Sequence, residues 1–444
     1  MTSGNARGII IAAPASGCGK TTVTLGLLRY LSRAGQSVAS AKAGPDYIDP
    51  AFHAAASGRS CPNIDTWAMR PQAAATALAG LAGEAEIVVC EGVMGLFDGA
   101  ASGSTERDGS TADLARMTGW PVVLVVDARA QAASAAAVVR GFASHAEDVT
   151  IGGVIFNRIG SERHGDILRG AMTESLPQIP VLGCLPRLDD LELPERHLGL
   201  VLAGEHPELE AFLERAADWI GEHLDVPALA DLAAQGHDLL ASKAVAFPPL
   251  GQRIAVARDE AFAFCYPRTL EGWRDAGAEV TAFSPLAGEA FPDDADAIYL
   301  PGGYPELHAG QLAECGVFFD GLRSAAGRGA CLYGECGGYM VLGAALTDAD
   351  GQRHAMANLL PVETSFAERK LHLGYRRVTL SADCPLGTAG DAYRGHEFHY
   401  TAILGEGPGE PLFQAWDAEG RDLGNCGSRA GSVMGSFIHL IDAE

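Results

Sequence analysis

The 444-residue sequence predicts an α/β fold in two domains, and three observations carry that prediction. Short continuous apolar runs alternate with helix-like stretches, the pattern of parallel strands covered on both faces. One strand near residue 10 and another near residue 332 each run into a glycine-rich turn and then a helix. Between the two series, residues 225–250 mix Pro, Ala and Gly with no strand pattern. At about 150 residues per domain the length fits two or three domains. The predicted division is 1–224, a linker at 225–250, and 251–444.

In the first series, apolar residues predict buried strands over 8–13, 38–41, 87–90, 122–127 and 151–157. Helical spacing predicts helices over 21–34, 71–82, 110–117 and 134–144, with an amphipathic helix over 205–223 closing the domain. The second series opens with a strand at 254–257, a helix at 269–276 and a strand at 280–284. Strands at 297–300 and 330–333 follow, each ending in a glycine-rich turn. Beyond residue 342 the pattern turns antiparallel, with strands expected at 376–380, 398–403 and 433–438.

A hydrophobic share of 48% and a charged share of 20% fit folded domains. Fifty-six acidic against 32 basic residues give a net charge of −24, which argues against a nucleic-acid partner. Only four residues are lysine (Lys20, Lys42, Lys243, Lys370), and two of them lie beside glycine-rich loops. The ten cysteines form no C-x-x-C pair, so no zinc ribbon or thioredoxin-type redox pair is expected. No apolar run approaches the roughly 20 residues that span a bilayer, and no signal peptide is expected. A soluble, cytoplasmic protein without a membrane partner is the expectation. The oligomeric state is left open, with a homodimer as one candidate.

The first glycine-rich turn reads Pro14-Ala15-Ser16-Gly17-Cys18-Gly19-Lys20-Thr21-Thr22. Strand, turn, Gly-Lys-Thr and helix are the context of a phosphate-binding P-loop, although Pro14 stands where its first glycine usually is. Backbone N–H groups at Gly17–Lys20 would cradle phosphates. Lys20 would reach the β- and γ-phosphates, and the Thr21 hydroxyl, followed by Thr22, would bind Mg²⁺. Two acidic loops follow later strands: Asp46-Tyr47-Ile48-Asp49, and Glu91 with Asp98. A carboxylate at a strand's C-terminal edge suits Mg²⁺, and Asp49 and Glu91 are the candidate ligands. Asp46, Asp49 and Asp98 also fit as turn formers beside Pro and Gly.

The second turn, Gly334-Glu335-Cys336-Gly337-Gly338, has the G-x-nucleophile-x-G spacing of a nucleophile elbow, with Cys336 at its tip. A helix N-terminus there predicts a lowered thiol pKa. Gly303, in the turn Pro301-Gly302-Gly303-Tyr304, and Gly337 are candidate oxyanion donors. His439, expected at the end of an apolar strand, is the candidate base, with His396-Glu397-Phe398-His399 as a second basic cluster.

Together these segments resemble the corrin a,c-diamide synthases, the cobyrinic and hydrogenobyrinic acid amidotransferases of cobalamin biosynthesis. The resemblance also draws on Pro194–Leu200, and it runs from residue 9 to 439. It implies a dethiobiotin-synthetase-like P-loop NTPase domain with a parallel sheet, fused to a class I, flavodoxin-like glutamine amidotransferase domain. It implies a ligase with Mg²⁺ as cofactor and ATP and L-glutamine as co-substrates. The acceptor would be a tetrapyrrole polycarboxylate, amidated at its a and c carboxylates through acyl phosphates. Asp46, Tyr47, Asp49, Asp98 and Arg196 would serve substrate and phosphoryl transfer, and Asn157 would read adenine.

One departure stands out. Many triad glutaminases carry His-x-Glu, whereas Leu440 and Ile441 follow His439. The resemblance suggests a Cys–His pair, with Glu397 as a candidate orienting carboxylate. Rival readings are a P-loop partitioning or metal-insertion ATPase, which has no use for a cysteine elbow, a non-catalytic protein with relic motifs, and amidation of another tetrapyrrole such as nickel sirohydrochlorin.

Overall fold

The structure, a computed structural model, describes residues 7–100, 107–188, 191, 195–196, 199–237, 246–407 and 409–444. Two compact units divide the chain, the first ending at Lys243 and the second formed chiefly by Ala244–Glu444.

Among the described residues, the first unit is built on seven parallel strands. They are β1 (Arg7–Ala12), β2 (Val38–Ala43), β3 (Asn63–Ile64), β4 (Ile87–Glu91), β5 (Val122–Asp127), β6 (Ile151–Ile159) and β7 (Val181–Pro186). Their order is β3-β2-β4-β1-β5-β6-β7, with β1 in the middle. That position explains its composition: Ile9, Ile10 and Ile11 are fully buried because both faces and both edges are covered. Strand order reverses beside β1, so the crevice beyond its C-terminal end is where a ligand can enter. Helix α1 (Lys20–Arg33) starts there, and α2 (Asp49–Ser57) starts beyond β2.

Residues 225–250 were expected as a linker, and their first part is folded instead. Asp225 accepts from the Ala228 N–H at 3.0 Å and caps a helix over Val226–Leu232. Pro227 sits in that helix's first turn, where no N–H is needed, and Val226 and Leu229 are buried. Ala234–Gln235 then pairs antiparallel with the start of β1. Composition alone reads such proline and alanine as punctuation. The helix expected over 205–223 begins at Leu209, after a 3₁₀ turn at Ala203–Glu205.

The second unit carries a ten-stranded sheet whose first five strands are parallel. Their order is Glu279–Phe283, Arg253–Ala257, Ala297–Leu300, Cys331–Glu335 and Val433–Ser436. The antiparallel half continues through Asp422–Ala430, Glu410–Asp417, His372–Leu380, Ala392–His399 and Ile438–Ala443. Two single strands expected from sequence are each broken in two. The 398–403 run divides between Ala392–His399 and Ala402–Glu406, and the 433–438 run ends at Ser436. Beyond Phe437 the chain changes partners, and Ile438–Ala443 pairs with Ala392–His399. His439 is therefore the second residue of a new strand, opposite His396, rather than the end of an old one.

Candidate active site

The phosphate loop of the first unit is shaped by left-handed glycines, Gly17 at φ 77° and Gly19 at φ 93°. A Cβ on Gly19 would also lie 2.3 Å from Asn157 Nδ2, so neither the backbone nor the space admits a side chain. Asn157, at the C-terminal part of β6, donates from Nδ2 to the Cys18 carbonyl at 2.9 Å and accepts from the Arg158 N–H at 2.8 Å. Arg158 donates to the Gly17 carbonyl and to Asp127 Oδ2, each at 2.7 Å. Both residues hold the loop from below, a support function that the adenine-reading expectation did not include.

Lys20 opens α1 and donates to the Met94 carbonyl at 2.6 Å. Burial lowers its pKa. Thr21 Oγ1 donates to Glu91 Oε1 at 2.6 Å, while Thr22 is half-buried on the same turn. Glu91 is fully buried at the end of β4, next in register to Lys42 of β2. Lys42 Nζ donates to Glu91 Oε1 at 3.0 Å and to Asp49 Oδ2 at 2.5 Å, and His53 Nε2 lies 2.6 Å from Glu91 Oε2. Burial works against ionising Glu91, but the Lys42 charge and the His53 hydrogen bond outweigh it and keep its pKa low. Burial and the neighbouring Asp46 push Asp49 up to about 7, against the pull of Lys42.

Lys42 and His53 belong to this cluster although sequence reasoning gave neither a role. Lys42 had a signal, a scarce lysine at a strand end. His53 had none, because Glu91 is 38 residues away.

The remaining loop residues divide. Asp46 Oδ1 accepts from the N–H groups of Ile48 and Asp49, at 2.8 and 3.0 Å, so it shapes the entry to α2. Asp98 Oδ2 accepts from the Gly95 N–H at 2.8 Å and closes its own turn. Tyr47 is half-buried beside Asp46. Arg196 lies in a two-residue strand paired with Gly199–Leu200; its side chain, like residues 194, 197 and 198, lies outside the described residues.

In the second unit, strand Cys331–Glu335 ends in the elbow. Cys336 has φ 48° and ψ −104°, a costly conformation for a side-chain-bearing residue, directly before helix Gly337–Leu342. A Cβ on Gly338 would lie 1.9 Å from the Leu300 carbonyl oxygen, so the helix can seat this close to the sheet only with glycine there. Gly302 lies beside both Cys336 and His439. A Cβ built on it would meet His439 Cε1 at 2.4 Å, His439 Nε2 at 3.3 Å and Cys336 Cβ at 3.4 Å. The Gly303 amide nitrogen lies 3.1 Å from a Cβ built on Gly337, which brings both candidate oxyanion glycines beside the elbow.

The thiol differs from expectation. Burial pushes the Cys336 pKa up, Glu306 adds to this, and the Gly337 N–H opposes it without prevailing. Cys336 is 2% exposed, and desolvating a thiolate outweighs one helix terminus. His439 is held well below its usual range by burial and by His396, whose ring stacks on it at 4.9 Å. The resting pair is thus a neutral thiol and a neutral imidazole.

Glu397 is committed elsewhere: Oε2 accepts from Arg376 Nε at 2.8 Å and Oε1 lies 2.9 Å from His399 Nε2. The carboxylate beside His439 is Glu335, with Oε2 3.8 Å from Nδ1.

Known families match both parts of the chain. Residues 9–201 match a family model described as the CobQ/CobB/MinD/ParA nucleotide binding domain, and residues 253–444 match one described as the CobB/CobQ-like glutamine amidotransferase domain. A protein of Brucella anthropi named hydrogenobyrinate a,c-diamide synthase is 56% identical over 439 residues, covering 98% of each chain. Proteins of the same name from Rhizobium meliloti and Rhodobacter capsulatus are 54% and 53% identical; the alignments cover 98% of this chain, and 99% and 98% of theirs.

Proposed function

Since this chain belongs to the hydrogenobyrinate a,c-diamide synthase family, we propose that it amidates the a- and c-side-chain carboxylates of hydrogenobyrinic acid, using ATP to activate each carboxylate and glutamine to supply nitrogen. It is a glutamine-hydrolysing carbon–nitrogen ligase of cobalamin biosynthesis. The observation that carries the residue-level reading is Cys336 and His439 meeting across Gly302 in a chain that also holds the Lys20–Thr21–Glu91 cluster. A partitioning or metal-insertion ATPase has no use for the first of these.

A carboxylate does not react with ammonia at neutral pH, because the leaving group would be oxide. An acceptor carboxylate oxygen therefore attacks the γ-phosphorus, the bond to the bridging oxygen breaks, and ADP leaves. Ammonia then attacks the acyl carbon and phosphate departs. Lys20 exchanges its contact with the Met94 carbonyl for phosphate oxygens and balances their charge. Lys42 keeps Glu91 ionised and holds Asp49 beside it. The hard oxygens of Thr21 and Glu91, 2.6 Å apart, fit Mg²⁺ with Asp49 nearby, and the ion when bound neutralises phosphate charge. Arg196 would pair with acceptor carboxylates, which need local positive charge in a chain of net charge −24.

In the second unit Cys336 attacks the glutamine side-chain carbonyl, with Gly303 and Gly337 as oxyanion donors. Ammonia leaves as the thioester forms and is the nucleophile in the first unit, and water then hydrolyses the thioester to glutamate and free thiol. Mass spectrometry after incubation with ATP, glutamine and either metal-free or cobalt-containing ring tests the acceptor. The metal-free ring is expected to exchange OH for NH₂ twice. A nickel sirohydrochlorin amidated in its place would replace this reading.

The two aspartates are expected to differ. Asp46→Asn keeps an acceptor oxygen for the Ile48 and Asp49 N–H groups and should slow amidation only a few-fold. Asp49→Asn removes the carboxylate that faces Lys42, which is ionised above about pH 7, and should slow amidation by about 10- to 100-fold above that pH, with monoamide accumulating. A time course by mass spectrometry reads both. Equal wild-type rates and clean diamide from both variants would leave the loop a structural role.

A further inference from the structure

The glutaminase reading leaves His439 without the following acidic residue that would orient its ring, and a different part of the chain supplies a carboxylate. Along strand Cys331–Glu335 side chains alternate, so Tyr333 and Glu335 share a face. Tyr299 is the register partner of Tyr333 on the neighbouring strand, and the two rings stack at 5.7 Å. Their hydroxyls donate to Glu335, Tyr299 to Oε2 at 2.8 Å and Tyr333 to Oε1 at 2.9 Å, and the Leu440 N–H donates to Oε1 at 3.2 Å. Three donors fix this buried carboxylate, and one of them is the backbone of the residue after His439. Oε2 lies 3.8 Å from His439 Nδ1, while the ring's Cε1–Nε2 edge abuts Gly302 on the Cys336 side.

We propose that Glu335 is the positioning residue of the Cys336–His439 pair: its charge, 3.8 Å from Nδ1, favours the tautomer with Nδ1–H toward itself and balances the charge of the imidazolium. This rests on the glutaminase reading of that pair. In the reaction the Sγ proton passes to His439 Nε2 and the sulfur bonds to the glutamine carbonyl carbon. The C–N bond then breaks, and the Nε2 proton leaves with the ammonia. Creating a thiolate and an imidazolium in a dry pocket is costly, and a fixed negative charge on the far side of the ring lowers that cost. Nucleophile and orienting carboxylate are thus sequence neighbours on opposite sides of one imidazole.

Glu335 is itself lifted to about 7 by burial, against the pull of Tyr299, Leu440 N–H and Tyr333. Around it lie Tyr299, Tyr333 and Cys265, all raised by burial, Cys265 to about 12. Facing His439 are Cys336, His396, lowered to about 3 by burial, and His399, paired with Glu397. A carboxyl raised in this way is ionised above about pH 7 and neutral below, so glutamine use should rise with pH through that region.

The test compares wild type, Glu335→Gln, Glu335→Asp, Glu397→Gln and Cys336→Ala, with glutamine and with ammonium chloride as nitrogen source. Glu335→Gln should lower kcat for glutamine by about 10²- to 10⁴-fold with little change in KM, remove the limb near pH 7, and leave ammonia-dependent amidation intact. Glu335→Asp should restore part of the rate, and Glu397→Gln should retain the limb. A Cys336-dependent wild type beside a Glu335→Gln variant with wild-type kcat and limb overturns the proposal alone. Glutamine use surviving Cys336→Ala overturns the glutaminase reading beneath it. Should Glu335→Gln not fold, ¹⁵N-histidine NMR on the wild-type protein decides. His439, identified by its loss in His439→Gln, should be the Nδ1–H tautomer, and the Nε2–H tautomer would overturn the proposal.

Discussion

Cys336→Ala lowers glutamine-dependent amidation by about 10⁴-fold or more and leaves ammonium-dependent amidation near the wild-type rate. The thiol is the group of the reading that bonds to glutamine, and alanine offers no nucleophile in its place. Cys336 is 2% exposed and lies at the head of a six-residue helix packed on the sheet. Alanine occupies less volume and strains the φ 48° elbow no more than cysteine does, so the variant should fold. The measurement is product formation with each nitrogen source. A variant that is folded yet equally dead with ammonium salts would show that the thiol serves more than ammonia release.

Lys20→Ala is expected to have the second-largest effect, a loss of about 10²- to 10³-fold with either nitrogen source. Lys20 is one of only four lysines, and its ammonium lies at the head of α1 within the Glu91 cluster. Removing it takes a fixed charge from the phosphoryl transfer on which both nitrogen sources depend. Glutaminase chemistry at Cys336 should persist, so glutamate release should outrun amide formation. Quantifying glutamate, ADP and amide together checks this. A near-wild-type amidation rate would remove Lys20 from the site.

Much of this was legible in the chain because it is local. The P-loop is a contiguous strand, turn and helix, and Gly17 and Gly19 adopt the left-handed φ that their residue type invites. The elbow is equally contiguous, and Gly338 marks a close approach of helix to strand. Alternation of apolar strands and helices sufficed for a parallel sheet, since β1 is buried on both faces and reads as one apolar run. Local punctuation misled where tertiary pairing prevailed: the helix Val226–Leu232 hides in a proline-containing stretch, and the 433–438 run divides because its ends pair with different strands.

The chain by itself thus determined the two motifs and the fold class and marked Cys336 as the candidate nucleophile, all of which depend on residues within a few positions of one another. Tertiary structure alone decided what surrounds them. Asn157 closes under a loop 139 residues away, Glu91 gathers Lys42, Asp49 and His53 from other elements, and Glu335 rather than Glu397 stands beside His439. It also decided that the Cys336 pKa moves up rather than down, which depends on how far the sulfur is buried. Charge–charge and desolvation energies act through space over a few ångströms, and sequence spacing carries no record of which distant strands share a register.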